Sequence, residues 1–599
     1  MSGSSGQPFR SQAAVLQANI NTLRRHNPRA ADRLEAQAHK AVLTVIRSRA
    51  GLPVPIVRRE HRDIGLHSRY DPLREAERAA EHTAGSGFVI VLGLGLGYHI
   101  TPLLTQRQLE AVVVVDRDAA LARAMLGLRD LTAVLGDPRL KILIDPDMTE
   151  VEQSISHRYL PAIHGRLETV VLQGRQALDR DWFTAVAATV RTAAQHAVTE
   201  YHTQRKLGRR WFMNTLVNLG SGAAARAMQS GAVEKAVPAD RPAVIAAAGP
   251  SLRRALTGLR DRRKRCSIIA TDSALPVLLA AGVRPALVVS IDCQHATYHH
   301  LLAGTPAGTT AVVDIAGPPI ALRAFSRLAL VASGHPLARY LQHRLGWPRT
   351  LDLSGGTVTY AALALALELG ICDLEVVGAD FAYPDRMPYC VDTYLDRYFR
   401  ARQSRLTGLE QLHLEFVFSE PGLARVEGVE RLYTATRMQR YRALTEALVD
   451  RYGARLDPIG GAPGSFRLTG YGDRQQPHGS FSPPAAAGVS EPTQAVRATL
   501  LEYRQLLTQL TPQGSYTEFT ARLKAAEYEA WVTLLPLLPA FYNASAATWS
   551  AGAADARSWA LDRLSRILER YAGVPDYAVT GHDVVTGVVS NQPAGLDPA

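Results

Sequence analysis

Residues 244–252 read VIAAAGPSL. The five small or apolar residues from Val244 to Ala248 suit a short strand buried on both faces. Gly249 and Pro250 stop that strand, and Ser251 stands where an N-cap belongs, ahead of the helical run LRRALTGLRDRR. A strand, a glycine turn and a helix N-terminus leave free backbone N–H groups beside the positive end of a helix dipole, a setting that favours an anion such as phosphate. Taken alone, the same residues also suit an ordinary strand-to-helix turn.

The following segments repeat the pattern. SIIA (267–270) is a second short strand and ends in Thr271, Asp272 and Ser273. After the helix-like run ALPVLLAAG comes a third, PALVVSI (285–291), ending in Asp292, Cys293, Gln294 and His295. TAVVD (310–314), LALVA (328–332) and LEVVG (374–378) continue the series; the last leads into Ala379, Asp380, Phe381, Ala382 and Tyr383. Leu353, Ser354, Gly355, Gly356 and Thr357 precede the apolar helix VTYAALALALELG. Every unit is strand then helix, so the sheet is expected to be mainly parallel. The carboxyl ends of its strands are then a ligand-binding rim, here for a nucleotide-type ligand.

GPSL followed by TDSALPVLLAAGVRPALVVSID resembles the motility accessory factor family of flagellin glycosyltransferases, which shares a domain with 6-hydroxymethylpterin diphosphokinases of the MptE-like kind. LSGGTVTYAALALALELG (353–370), LEVVGADFAY (374–383) and YTATRMQRYRALTEAL (433–448), the last followed by the Gly460–Gly461 pair, are similar to later parts of that family. The resemblance spans roughly residues 80–470 and rests on the order and spacing of these motifs. It implies transfer of a sialic-acid-like (nonulosonic) sugar, such as pseudaminic or legionaminic acid, from a CMP-activated donor to Ser or Thr of flagellin. Gly249, Pro250 and Ser251 would hold the phosphate or sugar end, Thr271, Asp272, Ser273, Asp292 and Gln294 would frame the nucleoside, and Gly355, Gly356 and Thr357 would close over it. Asp292, His295 and Asp380 are the candidates for the base. In the similar CMP-sialic acid sialyltransferases tyrosines assist the departing phosphate, which makes Tyr383, Tyr389 and Tyr394 candidates. The family often has GQDLAYT where this chain has GADFAYP, which puts that loop's role in question.

Nearer the N-terminus GFVIVL (87–92) runs into GLGLGYH, and AVVVV (111–115) ends in Asp116. A glycine-rich turn after one strand and an acid after the next is the layout of a nucleoside-binding Rossmann unit. Here it is more similar to the first motif of S-adenosylmethionine-dependent methyltransferases than to a dinucleotide fingerprint. A retained scaffold is the preferred reading. LKILID (140–145) and ETVVLQ (168–173) supply further strands of this sheet. His61 and His67, in the basic link after residue 55, read as surface histidines.

The expected fold is α/β, with two Rossmann-like, mainly parallel sheets joined by helices and a C-terminal helical bundle. The expected division is a helical segment over 1–80, a Rossmann-like domain over 81–180, a helical connector over 181–238, a central nucleotide-sugar-binding catalytic domain over 239–470, a Pro/Gly/Ser-rich linker over 471–492 and a helical domain over 493–599.

Bulk properties narrow the classes. Apolar residues make up 47% and charged residues 20% of the 599, ordinary for a globular protein. No apolar run is long enough to span a bilayer and the first residues lack a signal-peptide core, so a cytoplasmic location is expected. The 4 cysteines form no CxxC pair, which suggests neither a zinc site nor a disulfide framework. The net charge of +12 is spread along the chain with only 7% aromatics, so nucleic acid is not the expected partner. Flagellin, a nucleotide-sugar and self-association are. No cofactor is firmly implied; Mg²⁺ on Asp272, Asp292 and Asp380 belongs to a competing reading, a diphosphokinase of the pterin type. A flagellar assembly factor without turnover and a methyltransferase complete the alternatives.

Overall fold

The computed structural model describes residues 11–37, 41–59, 61–221, 224, 227, 232–459, 464–470, 492–541 and 548–572. The expected linker, apart from its last residue, the Gly460–Gly461 pair and the tail beyond Pro575 lie outside them.

The first 80 residues are not simply helical. Helices Gln12–His26 and Pro28–Glu35 precede a three-stranded antiparallel sheet of β1 (Thr44–Arg47), β2 (Pro53–Arg59) and β3 (Arg62–Gly65), and helix Pro72–His82 follows. The strands gather the β-branched residues Val45, Ile46, Val54, Ile56, Val57 and Ile64, and Pro53 and Pro55 deny the segment helical hydrogen bonds.

β4 (Phe88–Leu92), β5 (Ala111–Asp116), β6 (Leu140–Ile144) and β7 (Leu167–Val171) form a parallel sheet in the order β6-β5-β4-β7. Alternate side chains feed two cores: Val89, Val91, Val112 and Val114 on one face, Phe88, Ile90, Val113 and Val115 on the other. The 40-residue helix Arg180–Leu219 then crosses between sheets. It buries Phe183, Val186 and Val190 against the first and Phe212, Leu216 and Leu219 against the second.

The central sheet contains β8 (Ala243–Ala246), β9 (Ser267–Thr271), β10 (Leu287–Ser290), β11 (Thr310–Asp314), β12 (Arg327–Ala332), β13 (Arg349–Thr350) and β14 (Leu374–Val377), all parallel. Between β14 and the end of this sheet, β15 (Tyr383–Pro384), β16 (Ala424–Arg425) and β17 (Leu432–Thr434) make a small antiparallel sheet. β18 (Arg455–Pro458) and β19 (Phe466–Thr469) then extend the central sheet antiparallel, giving the order β13-β12-β11-β10-β9-β8-β14-β19-β18. From β8 the chain adds strands outward in one direction as far as β13, then returns to place β14 on the other side of β8. Helix Val358–Glu368 is buried from Tyr360 to Leu367 and covers one face, which explains a sequence apolar all round rather than amphipathic.

The C-terminal helices Pro492–Gln509, Tyr516–Arg522, Ala525–Val532, Leu538–Phe541 and Trp549–Ala572 do not enclose a core of their own. Leu500, Tyr503, Trp531 and Leu564 belong to the same buried cluster as Val244, Leu252 and Tyr340 of the central domain.

Candidate active site

The change of direction between β8 and β14 is a topological switch point, where two adjacent strands send their following segments to opposite sides and open a crevice at the strand ends. Gly249 follows β8 here, and Gly378 and Asp380 follow β14. The Gly249 N–H donates to the Gly378 carbonyl at 2.8 Å, and a Cβ on Gly249 would collide with that carbonyl and with Asp380. Ser251, 6% exposed, does not cap its helix through its side chain. Instead its hydroxyl donates to Asp380 Oδ2 at 3.0 Å, and its backbone N–H reaches the same oxygen at 3.1 Å. The other oxygen, Oδ1, is buried without a hydrogen bond. Burial pushes the Asp380 carboxyl up to about 6 despite the Ser251 donors and the neighbouring Arg254. Gly464, which the sequence does not single out, closes over this pair: a Cβ there would lie 2.5 Å from Ser251 Oγ and 2.6 Å from Asp380 Oδ1.

One strand further, Asp272 is 2% exposed and holds two donors, Ser290 Oγ at 2.8 Å and the Ser273 N–H at 2.7 Å. Burial raises its pKa, opposed by nearby His300 and by these hydrogen bonds, while Asp292 adds like charge. Thr271 is spent locally, accepting the Ala274 N–H at 3.3 Å. Asp292 accepts the Gln294 N–H at 2.8 Å. His295 is exposed and stacks with Tyr298, its centroid 5.4 Å away; Asp272's histidine neighbour is His300, five positions further on, which sequence reading passes over.

Gly355, Gly356 and Thr357 form a wall. Thr357 Oγ1 caps the following helix by accepting the Tyr360 N–H at 3.1 Å, and Gly355 lies on the Tyr360 ring, where a Cβ has no room. Tyr360 is in turn held by Asp352, which accepts its hydroxyl at 2.8 Å and an Arg451 N–H at 2.6 Å. Against Gly356 rests Tyr441, 3.4 Å from where a Cβ would be. The segment that carries Tyr383, Tyr389 and Tyr394 is ordered by β15 and by helix Tyr394–Arg402, and it is tied down by the Cys390 N–H donating to the Ala248 carbonyl at 2.9 Å. Tyr383 is 1% exposed and burial pushes its phenol up to about 12. Tyr389 is 38% exposed; desolvation raises its phenol, and Arg437, Tyr441 and Asp272 are all near enough to act on its charge. Tyr394 stacks on His299 with centroids 4.3 Å apart. Ser251, Asp380, Asp272 and Gly356 therefore share one rim, while His295 sits at its outer margin.

The glycine turn of the first sheet is filled by the protein itself. The Leu94 N–H donates to Asp116 Oδ2 at 2.7 Å and the Leu96 N–H to His67 Nε2 at 2.8 Å. Arg175, reaching in from beyond β7, pairs with Asp116 at 2.6 Å; both side chains are almost fully buried. Space beside Gly93 is taken by Arg175 and beside Gly95 by His67. His67 is buried, contrary to its reading as a surface residue, because the turn needs its ring nitrogen as acceptor. The groups that a nucleoside would engage are thus already engaged.

Among the described residues no three His, Cys, Asp or Glu side chains converge to hold a metal ion. Asp380 is bound to Ser251 at the switch point, whereas Asp272 turns toward Ser290. Among the same residues no helix is long and apolar enough to cross a membrane.

Comparison with known proteins agrees with this architecture. Residues 214–386 match the family model described as 6-hydroxymethylpterin diphosphokinase MptE-like. A protein of Treponema pallidum (strain Nichols), described as uncharacterized, is 33% identical over 126 residues, 20% of this chain and 45% of its own length. A second from the same organism, also described as uncharacterized, is 27% identical over 169 residues, 28% of this chain and 78% of its own. The chain thus spans less than half the length of the first relative. The solved structure of the MAf glycosyltransferase from Magnetospirillum magneticum AMB-1 superposes with a TM-score of 0.53 at 16% identity, covering 94% of this chain and 96% of that one. This chain therefore carries an MptE-like domain within a fold that it shares, over nearly its full length, with a MAf glycosyltransferase.

Proposed function

We propose that the protein is a glycosyltransferase that moves a nonulosonic sugar from a CMP-activated donor to Ser or Thr hydroxyls of flagellin. The observation that carries this reading is the Ser251–Asp380 pair at the switch point, flanked on one rim by Asp272 and Gly356. Fold likeness to the MAf glycosyltransferase supports it over the alternatives.

In this scheme the acceptor oxygen forms a bond to the anomeric carbon as the bond from that carbon to the phosphate oxygen breaks, and CMP departs. The sugar passes through an oxocarbenium-like state, so the site must stabilise the leaving phosphate and take the acceptor's proton. Asp380 suits the proton: its carboxyl, pushed up to about 6 by burial, has one oxygen on Ser251 and one unengaged. His295 suits it less, being exposed. Tyr383 and Tyr389 supply phenols for the phosphate. Asp272 and Asp292 would frame the nucleoside.

Calorimetric titration with CMP, a CMP-nonulosonic acid, ATP with Mg²⁺ and S-adenosylmethionine tests the reading, followed by intact-mass comparison of flagellin from cells with and without the gene. Binding of the CMP compounds and a flagellin mass difference equal to a whole number of sugar residues are expected. The family description of residues 214–386 favours pyrophosphoryl transfer as the second reading. Tight, Mg²⁺-dependent ATP binding without CMP binding would replace the first with it.

A further inference from the structure

The stretch YTATRMQRYRALTEAL belongs to the recognised motifs, yet the reaction above leaves it without a task. In the structure it ends β17 and begins helix Thr436–Arg451 beside the cleft. Ala435 is the N-cap and has no side chain to offer, so N–H groups of the first turn have no side-chain acceptor there. Arg437 lies in that first turn. Its guanidinium pairs with Glu420 and lies beside the Tyr383 phenol. The Tyr383 hydroxyl is fully buried and still lacks a hydrogen bond of standard geometry. One helical turn on, Tyr441 rests on Gly356, and the phenol of Tyr389 is near enough to Arg437, Tyr441 and Asp272 to feel their charges. A guanidinium, two phenols and a helix N-terminus make a receptor for an oxyanion. A carboxylate, that of Glu420, already occupies the guanidinium.

We propose that Arg437, with Tyr383, Tyr389 and the start of helix Thr436–Arg451, is the subsite for an oxyanion of the donor, and that Glu420 holds Arg437 there until that anion displaces it. The proposal rests on the donor being a CMP-sugar acid, which has two such groups: the phosphate and the sugar carboxylate. Arg437 is 44% exposed as a side chain, so it is within reach of an incoming ligand. Glu420 is 11% exposed and lies close to its place.

The test is calorimetric titration of wild type, Arg437→Gln, Arg437→Lys and Glu420→Gln with cytidine, CMP and CMP-N-acetylneuraminic acid. Loss of a charge-assisted contact predicts that Arg437→Gln weakens the anionic ligand by about tenfold or more and leaves cytidine unchanged. If the phosphate is the partner, CMP and the CMP-sugar weaken together. If it is the carboxylate, only the CMP-sugar weakens. Glu420→Gln should bind the same ligand more tightly. Arg437→Lys, which keeps the charge and loses the fork, should fall between, and it serves if the glutamine variant is unstable. Unchanged affinity for both CMP and the CMP-sugar in Arg437→Gln overturns the subsite. If wild type binds no cytidine compound, the donor reading fails separately. Pyrophosphate then decides the subsite: thermal stabilisation present in wild type and lost in Arg437→Gln upholds it, and equal behaviour in the two overturns it.

Discussion

The hydroxyl of Ser251 donates to Asp380 across the gap between β8 and β14, two residues 129 positions apart in sequence. Both follow strands that lie side by side in parallel, and neighbours on either flank run away from the gap. A serine after one strand and an acid after the other thus meet at the switch point of this sheet.

The Asp380 carboxyl sets a pH dependence. Its folded value, about 6, lies above its unfolded value of 3.8, so the native state binds the proton more tightly. Stability linked to this group is fully present below 3.8 and is lost as pH rises through about 6. Asp380→Asn should remove that slope, so that urea midpoints of variant and wild type diverge between pH 4 and 7 (roughly the window spanned by the two values) and the variant gains on wild type at the upper end. Parallel curves across this range would contradict the assignment.

Gly464→Ala should damage both stability and ligand binding. The added methyl would meet Ser251 Oγ and Asp380 Oδ1, at a backbone φ of +79° that already disfavours alanine. Overpacking of this kind costs about 1–3 kcal/mol. Gly453→Ala is the control, since its φ is +68° but nothing lies within 4 Å; it should lose only the backbone term, about 1 kcal/mol. Thermal melts and CMP titrations of both variants check this, and equal effects would count against crowding at the pair.

Arg175→Met should unfold the protein more easily without altering the central site. It leaves Asp116 buried and unpaired, a loss of about 3–5 kcal/mol. A double variant that also replaces Asp116 by Asn should recover part of that loss. Titration with S-adenosylmethionine should give no heat in wild type, because Arg175 and His67 occupy the turn. Micromolar binding there would show that the turn opens.

Tyr360 separates ring from hydroxyl. Tyr360→Phe keeps the surface on which Gly355 rests and gives up hydrogen bonds to Asp352 and Arg451, for about 1 kcal/mol. Tyr360→Ala removes the buried ring as well, for about 3–5 kcal/mol, and should also weaken the donor because the wall of Gly355 and Gly356 loses support. Similar donor affinity in the two variants would mean that the ring does not hold the wall.

Much of this arrangement is readable from short stretches. SIIA, TAVVD and LEVVG are apolar on both faces, so each reads as a strand in the middle of a parallel sheet, and each lies where a strand is found. Thr271, Asp272, Asp292 and Asp380 are legible as site candidates because a polar residue after such a strand has the rim as its place. His67 misleads, since a lone histidine in a basic link gives no hint of the backbone N–H that it meets 29 residues later. Gly464, His300 and Arg437 give no warning either: each acts through a neighbour brought from another part of the chain. The strands of residues 44–65 are hidden for another reason, as alternation over stretches of 4 to 7 residues is too brief to outweigh the helical pattern beside it.

Local burial and local turn chemistry, both written in consecutive residues, determined that this chain makes two parallel sheets with glycines, hydroxyls and acids at their strand ends. Strand order is a long-range choice, settled by which buried faces pack together. Tertiary structure alone therefore decided that β14 would stand beside β8 and bring Asp380 to Ser251, that Arg175 would close the first glycine turn, and that the C-terminal helices would share the core of the central domain rather than build one of their own.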